Sequence, residues 1–249
     1  MSPGTKGTVL ITGASSGVGN SLVHHLAGPY RVIAAARRID RLERDFGVRP
    51  SVVTRGVDLA DLDAVQDFCG ALRSDGEVVT HIINNAGTNR RGSLASLPPE
   101  AMTTSLNVNA LAPLMIMQAF LPEMQARNFG RIVNVTSGAP LNCFPGFSAY
   151  SASKAALNAI TVTAAKEYEA ANIRINLMSP GPVRSEMAPD AALDPSACHA
   201  TLDHLLELPA DGPTGRFFWL GHEVPLVPDL SGVDWLRGEA NGRLKPIDL

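Results

Sequence analysis

The stretch that decides the fold is "TVLITGASSGVGNSLVHHL", residues 8–26. An apolar, β-branched run ends at Gly13, and helical spacing of apolar residues begins at Gly17. The glycines follow a GxxxGxG pattern across this junction. A strand that runs through a glycine-rich turn into a helix leaves free backbone N–H groups at the helix N-terminus, where they attract phosphate. The segment therefore predicts a strand–turn–helix unit that binds the pyrophosphate of a dinucleotide.

Each residue type in this turn has a physical use. The first glycine can make the tight bend, the second lets backbone approach a phosphate, and the third lets the helix pack closely on the strand. The serines between them add hydroxyl donors. The predicted phosphate-binding residues are Gly13, Ser15, Ser16, Gly17, Val18 and Gly19.

The rest of the chain alternates strand-like and helix-like segments. The strand-like runs are apolar along their whole length, which is typical of parallel strands covered by helices on both faces. This alternation predicts one α/β domain over residues 1–249, a doubly wound parallel sheet of the Rossmann-like type in three αβα layers. Further strands are predicted at 31–36, 51–59, 80–87, 130–137, 173–181 and 215–220, and helices at 63–75, 99–127, near 196–208 and from Ser148 over about 22 residues.

Composition excludes several classes of function. The 249 residues are 45% hydrophobic and carry a net charge of −3, without the basic surface that nucleic acid requires. We find no signal peptide and no apolar run near the length of a membrane span. Three scattered cysteines without a CxxC pair indicate a reducing compartment, and no histidine cluster has metal-ligand spacing. We expect a cytoplasmic protein with no membrane, nucleic-acid or metal partner.

Two regions depart from the regular alternation. Residues 184–214 are rich in proline and follow the sixth strand, so they are placed to form a lid over a ligand, or to be surface padding. Residues 223–249 form an atypical, irregular C-terminal tail. The helix after Tyr150 carries small residues suited to close helix packing, either between subunits or on its own sheet, and we expect a homodimer or homotetramer.

Four more motifs complete a pattern that is specific only in combination. They are "NNAG" at 84–87, Ser137, "YSASK" at 150–154 and "SPGPV" at 179–183. With the glycine turn, they resemble the short-chain dehydrogenase/reductase family over residues 7–187. The resemblance implies an oxidoreductase that transfers hydride between a nicotinamide dinucleotide and a small carbonyl or alcohol substrate.

The resemblance also implies four catalytic residues. Tyr150 would be the general acid or base, and Lys154, one helical turn away, would lower its pKa from about 10 and hold the nicotinamide ribose. Ser137 would hydrogen-bond the substrate oxygen. Asn109 would anchor a water molecule of a proton relay; the alternative is a structural hydrogen bond that kinks the helix.

The remaining predicted cofactor contacts follow from the same resemblance. Asn85, Ala86 and Gly87 would lie along the ribose, while Asn84 would stabilise the sheet. The adenine and nicotinamide contacts would be Asp58, Leu59, Pro180, Gly181 and Val183.

The end of the second predicted strand decides which dinucleotide is favoured. An acidic residue there would bind the ribose 2′-hydroxyl of NAD. The sequence instead has Ala36 followed by Arg37 and Arg38, and a guanidinium group suits a 2′-phosphate. NADP(H) is therefore favoured and NAD(H) remains possible; the alternative is that both arginines only cap the strand in solvent.

These observations lead to one main functional prediction and two alternatives. The main prediction is the NADPH-dependent reduction of a ketone or aldehyde to an alcohol. The alternatives are an NAD-dependent alcohol dehydrogenase of the same family and a non-catalytic dinucleotide-sensing protein. The sensor is disfavoured because the chain keeps all four implied catalytic residues. The sequence leaves the substrate open.

Overall fold

A computed structural model describes residues 5–226 and contains one eight-stranded sheet. The strand order is β3-β2-β1-β4-β5-β6-β7-β8, and every neighbouring pair is parallel except β7 and β8. The predicted α/β fold with a parallel sheet is confirmed. The strands are β1 Thr8–Thr12, β2 Arg31–Ala36, β3 Val52–Gly56, β4 His81–Asn84, β5 Gly130–Val135, β6 Ile173–Ser179, β7 Phe217–Trp219 and β8 His222–Val224.

Eight α-helices connect and cover these strands in the described part of the chain. They are α1 Gly17–Leu26, α2 Ile39–Phe46, α3 Leu62–Ser74, α4 Pro99–Leu106, α5 Ala112–Ala126, α6 Ala139–Asn142, α7 Ser148–Glu167 and α8 His199–Leu206. Short 3₁₀ turns lie at Leu94–Ser96 and Pro195–Cys198. The helix α6 and the first 3₁₀ turn were not predicted.

The continuous apolar character of the strands has a direct structural reason. Successive side chains of a strand point to opposite faces, and both faces of this sheet are covered. Val9 and Ile11 of β1 belong to a core that includes residues of α1, α2 and α8. Leu10 belongs to the opposite core, built with α3, α5 and α7. The three αβα layers follow from this arrangement.

The sheet topology positions a binding crevice. Strand β1 pairs with β2 on one side and with β4 on the other, so the direction of winding reverses at β1. In doubly wound sheets ligands bind outside the carboxyl ends of the strands at this reversal. The glycine turn after β1 and the segment after β4 therefore border the same crevice.

The long helical segment differs from its prediction in two ways. Helices α4 and α5 are joined by a π-helical turn, Asn107–Leu111, so the run is continuous from 99 to 126 but not uniformly α-helical. By length and composition alone, this run is also apolar enough to cross a membrane, because its most apolar 18 residues have a mean hydropathy of 1.2. Half of those residues are buried inside the protein. The expectation that no such run exists was therefore wrong. Its apolar side chains, including Ile116 and Phe120, are buried in the core over the sheet.

The two irregular regions are more structured than predicted. Cys198, Leu202 and Leu205 are buried in the core that α1 and α2 share, so the second part of the supposed lid is core structure. The residues of this region that line the crevice are confined to 185–188. Strand β8, the antiparallel partner of β7, was not predicted. The remainder of the predicted tail, 227–249, lies outside the described residues.

Candidate active site

One cleft of about 650 Å³ at the carboxyl ends of the strands brings almost all predicted site residues together. Of the predicted catalytic and cofactor-binding residues, every one except Gly19 and Asn109 lines this cleft. Those two lie behind its wall. The cleft residues are Gly13, Ser15, Ser16, Gly17, Val18, Arg37, Arg38, Asp58, Leu59, Asn85, Ala86, Gly87, Ser137, Tyr150, Lys154, Pro180, Gly181 and Val183.

The glycine turn has the geometry that its sequence predicts. Gly13 and Gly17 have φ values of +68° and +54°, a conformation that glycine adopts without steric cost. A Cβ atom at Gly19 would lie 2.3 Å from the carbonyl oxygen of Gly13 and 2.6 Å from Nδ2 of Asn85. The backbone can approach this closely only where no side chain intervenes. The turn therefore fits the pyrophosphate of a dinucleotide at the start of α1.

Asn85 lines the cleft, and its side chain also makes a structural hydrogen bond. Its Nδ2 donates to the carbonyl oxygen of Thr12 at 2.9 Å, so its side chain joins the end of β4 to the end of β1. In return, the Thr12 hydroxyl oxygen accepts from the backbone N–H groups of Asn85 and Ala86, both at 3.1 Å. Thr12 was missed because a threonine at a strand end carries no distinctive sequence signal. Together these bonds hold both walls of the crevice in register.

Tyr150 and Lys154 lie one turn apart on α7, but the tuning expected between them is not seen. Lys154 is 3% exposed and its Nζ donates to the carbonyl oxygen of Val135 at 2.7 Å. Burial lowers the pKa of Lys154 from 10.5 to about 8. Burial also raises the pKa of Tyr150, and a hydrogen bond with Ser137 opposes this only in part. The direction of the Tyr150 pKa is thus set by burial and by Ser137, while the Lys154 ammonium is held by β5.

Asn109 is fully buried and its side chain is committed to protein contacts. Its Oδ1 accepts from the N–H of Thr88 at 2.8 Å, and its Nδ2 donates to the Thr88 carbonyl at 2.9 Å and to the Ser153 hydroxyl at 2.8 Å. It lies in the π-helical turn, a feature that often marks functional sites. These hydrogen bonds join the π-helical turn to the loop after β4 and to α7. The position is also close to Lys154, since a Cβ atom at Gly87 would lie 3.4 Å from Asn109 Oδ1 and 3.7 Å from Lys154 Nζ.

Asn84 and its partners support the sheet under the site. Asn84 Nδ2 donates to Asn134 Oδ1 at 2.8 Å, and Asn134 Nδ2 donates to the hydroxyl of Thr161 at 2.8 Å. This buried network links β4, β5 and α7. The position of Asn84 below the cleft agrees with the structural role expected from the sequence.

Two arginines, Arg37 and Arg38, line the crevice beside β2. Arg37 is exposed and its Nε lies 4.0 Å from Asp58 Oδ1. Arg38 crosses the glycine turn and donates to the hydroxyls of Ser15 at 3.3 Å and Ser16 at 2.8 Å. Both arginines are within reach of a ligand in the cleft, and the alternative that they only cap the strand does not describe Arg38.

Asn89, Arg91 and Phe147 also line the cleft. Phe147 lies edge-to-face against the Tyr150 ring, with centroids 6.3 Å apart, and the Arg91 guanidinium lies 4.4 Å from the Phe147 centroid. Asn89 Oδ1 is buried and has no hydrogen-bond partner among the described residues. Such an acceptor is open to a hydrogen bond from a water molecule or from a ligand in the cleft.

A family model described as short chain dehydrogenase matches residues 7–195. The chain belongs to the short-chain dehydrogenase/reductase family. Family membership was predicted from the motifs and is confirmed. The family consists of oxidoreductases that bind a nicotinamide dinucleotide, and the glycine turn and crevice fit such a cofactor.

Two relatives and one solved structure illustrate the similarity of this chain to known proteins. An SDR family protein 7-like dehydrogenase/reductase of Anopheles gambiae is 33% identical over 78% of this chain, and the chain covers 65% of that protein. L-xylulose reductase of Bos taurus is 34% identical over 84% of this chain and 82% of its own. The structure of an NADPH-bound carbonyl reductase from chicken fatty liver matches with a TM-score of 0.76 and 25% identity, covering 86% of this chain and 96% of the other. The chain therefore spans about two thirds of the length of its insect relative and nearly all of the carbonyl reductase.

Proposed function

We propose that this protein reduces a ketone or aldehyde to an alcohol with NADPH. The observation that carries the proposal is the end of β2, where Ala36 takes the place of an acidic residue and Arg37 and Arg38 follow it into the cleft. Guanidinium groups bind a 2′-phosphate, while an acid would repel it. The similarity to an NADPH-bound carbonyl reductase supports this cofactor, although other structures of similar fold hold NADH.

When bound, the nicotinamide would supply hydride to the carbonyl carbon. The chain's own residues must then deliver a proton to the oxygen and stabilise the negative charge that develops on it. The Tyr150 hydroxyl is the donor, and its raised pKa keeps it protonated near neutrality. The Ser137 hydroxyl, hydrogen-bonded with Tyr150, orients the same oxygen.

The tyrosine must regain its proton after each turnover. Lys154 is the neighbouring ionisable group on the same face of α7, and its pKa of about 8 lets it exchange protons near neutral pH. Gly87 leaves open the space between Lys154 and Asn109, which is the route for a relay water. In this proposal Asn109 is a positioning residue, because its side chain fixes the loop after β4 and the N-terminal part of α7.

A calorimetric titration of NADPH and NADH tests the cofactor assignment. We expect wild type to prefer NADPH by about tenfold or more, which corresponds to about 1.4 kcal/mol. Arg37→Ala should lose part of this preference, because it removes one of the two guanidinium groups that line the crevice beside β2. Arg44→Ala is the matched control, since Arg44 is exposed on α2 and pairs with Asp45 outside the cleft.

Two results would contradict the proposal in different ways. Equal or tighter binding of NADH, unaffected by Arg37→Ala, would turn the assignment to an NAD-dependent alcohol dehydrogenase. Binding of neither cofactor would remove the basis for catalysis by this cleft.

A further inference from the structure

Glu186 forms ion pairs with Arg38, which lines the cleft beside β2, and with Arg41 of α2. Arg38 Nη1 donates to both carboxylate oxygens of Glu186, at 3.0 and 2.8 Å. Arg41 Nη1 donates to Glu186 Oε1 at 2.6 Å. These bonds hold the pKa of Glu186 below its ordinary value, so it stays an anion at neutral pH. We call Arg38 and Arg41 the arginine pair.

The segment that carries Glu186 lies over the glycine turn. It follows β6 and is folded on itself, with reciprocal backbone hydrogen bonds between Ser185 and Ala188 at 3.2 and 3.1 Å. A Cβ atom at Gly17 would lie 3.1 Å from the Cβ of Ser185. Residues 185–188, the cover loop, therefore lie against the glycine turn of the predicted pyrophosphate site, and Glu186 ties them to α2 and the end of β2.

A carboxylate on two guanidinium groups is a chemical stand-in for a phosphate. Both anions accept charge-assisted hydrogen bonds from arginine, and a phosphate monoester brings more charge and a third oxygen. The ion pairs of Glu186 are exposed, with side-chain exposures of 55% for Glu186 and about 40% for each arginine. Exposed pairs are weak and exchange easily. A 2′-phosphate can therefore replace Glu186.

We propose that Glu186 is an internal competitor for the cofactor's 2′-phosphate and sets the selectivity between NADPH and NADH. The inference rests on the proposed function, because it requires Arg38, which lines the cleft beside Arg37, to take part in binding that phosphate. NADPH displaces the carboxylate and frees the cover loop from α2. NADH has no phosphate, so Glu186 keeps its bonds and the loop stays tied. The competition lowers the apparent affinity for NADPH without affecting that for NADH.

The test is a binding titration of both cofactors on Glu186→Gln, which keeps the side chain's size and removes its charge. Because a competitor lowers apparent affinity by the fraction of molecules it blocks, we expect NADPH to bind about threefold to tenfold more tightly. The NADH dissociation constant should change by less than about twofold. Glu43→Gln is the matched control: Glu43 is an exposed acid on α2 that makes no ion pair within residues 5–226.

A second variant locates the effect. In an Arg38→Ala background, Glu186→Gln should change the NADPH affinity much less, since the main partner of the carboxylate is gone. An unchanged ratio of NADPH to NADH affinity in Glu186→Gln, or equal changes for both cofactors, would overturn the proposal. These outcomes can be told apart from a failure of the proposed function. The proposed function is tested by the NADPH preference of wild type and Arg37→Ala, and this inference by the variants of Glu186.

Discussion

Lys154→Met should stabilise the fold near neutral pH while abolishing catalysis. Lys154 is buried, and its pKa falls from 10.5 to about 8 because burial penalises the ammonium. At about 1.4 kcal/mol per pKa unit, charging this lysine at pH 7 costs the folded state about 3 kcal/mol. Methionine fills a similar volume without the charge. Its cost is the loss of a donor to the Val135 carbonyl, about 1–3 kcal/mol.

The net gain at pH 7 is therefore about 0–2 kcal/mol, or up to roughly 8 °C in Tm for a chain of this size. The gain depends on pH in a defined direction. Below pH 8 the lysine is protonated in both folded and unfolded states, and the full penalty applies. Between pH 8 and 10.5 the folded state loses its proton while the unfolded state keeps it, so the penalty on wild type fades.

The assay is urea or thermal unfolding of wild type and Lys154→Met at pH 7 and near pH 10. Lys166→Met, an exposed lysine on the same helix, is the control and should change stability by less than about 0.5 kcal/mol. A variant that is less stable than wild type at pH 7, or whose advantage does not shrink as the pH rises, would refute the reasoning.

Three further predictions follow from close contacts and burial. Gly19→Ala should destabilise the fold by about 1–3 kcal/mol in chemical denaturation, because the added Cβ atom would lie 2.3 Å from the Gly13 carbonyl oxygen. Gly70→Ala on α3 is the control and should be neutral or stabilising, because a Cβ atom there meets nothing within 4 Å. Equal effects of the two substitutions would contradict the packing argument. Gly87→Ala should lower kcat by about tenfold or more and leave the unfolding midpoint unchanged, because the added methyl group enters the space between Asn109 and Lys154. Unaltered turnover would exclude a relay water in that space. A thiol reagent at pH 8 should label the exposed Cys143 of the native protein rapidly. It should label Cys69 and Cys198 slowly, because burial shields both thiols and raises their pKa to about 11. Cys143→Ser should remove the fast phase of labelling, and a fast phase that persists in this variant would show that a buried thiol is accessible.

The strands and the glycine turn could be predicted because their sequence constraints are local. Strand β1 is apolar on both faces because two helical layers cover it, and that condition is visible in Val9, Leu10 and Ile11 themselves. The same is true of Gly13, whose positive φ is a property of its own backbone. Motif spacing also placed Tyr150 and Lys154 on one face of α7.

What the sequence could not provide depends on contacts between distant segments. The carboxylate of Glu186 meets Arg38 across 148 positions of the chain, and no local pattern signals that pairing. The partner of Lys154 is a backbone carbonyl of β5, so its effect on Tyr150 could not be judged from helix spacing alone. The proline-rich region after β6 was predicted as a lid or as surface padding because of its place after the sixth strand, yet the burial of Leu202 and Leu205 places much of it in the core.

The most direct test of the central claim is carbonyl-dependent oxidation of NADPH, followed by absorbance across a panel of aldehydes, ketones and ketoses, for wild type and Tyr150→Phe. The account predicts turnover by wild type with at least one carbonyl. It predicts a loss of about 100-fold or more in Tyr150→Phe, the range expected for a general acid, with NADPH affinity nearly unchanged. Turnover that survives in Tyr150→Phe would contradict the account. It would also be contradicted if wild type binds NADPH but oxidises it with none of the carbonyls in the panel.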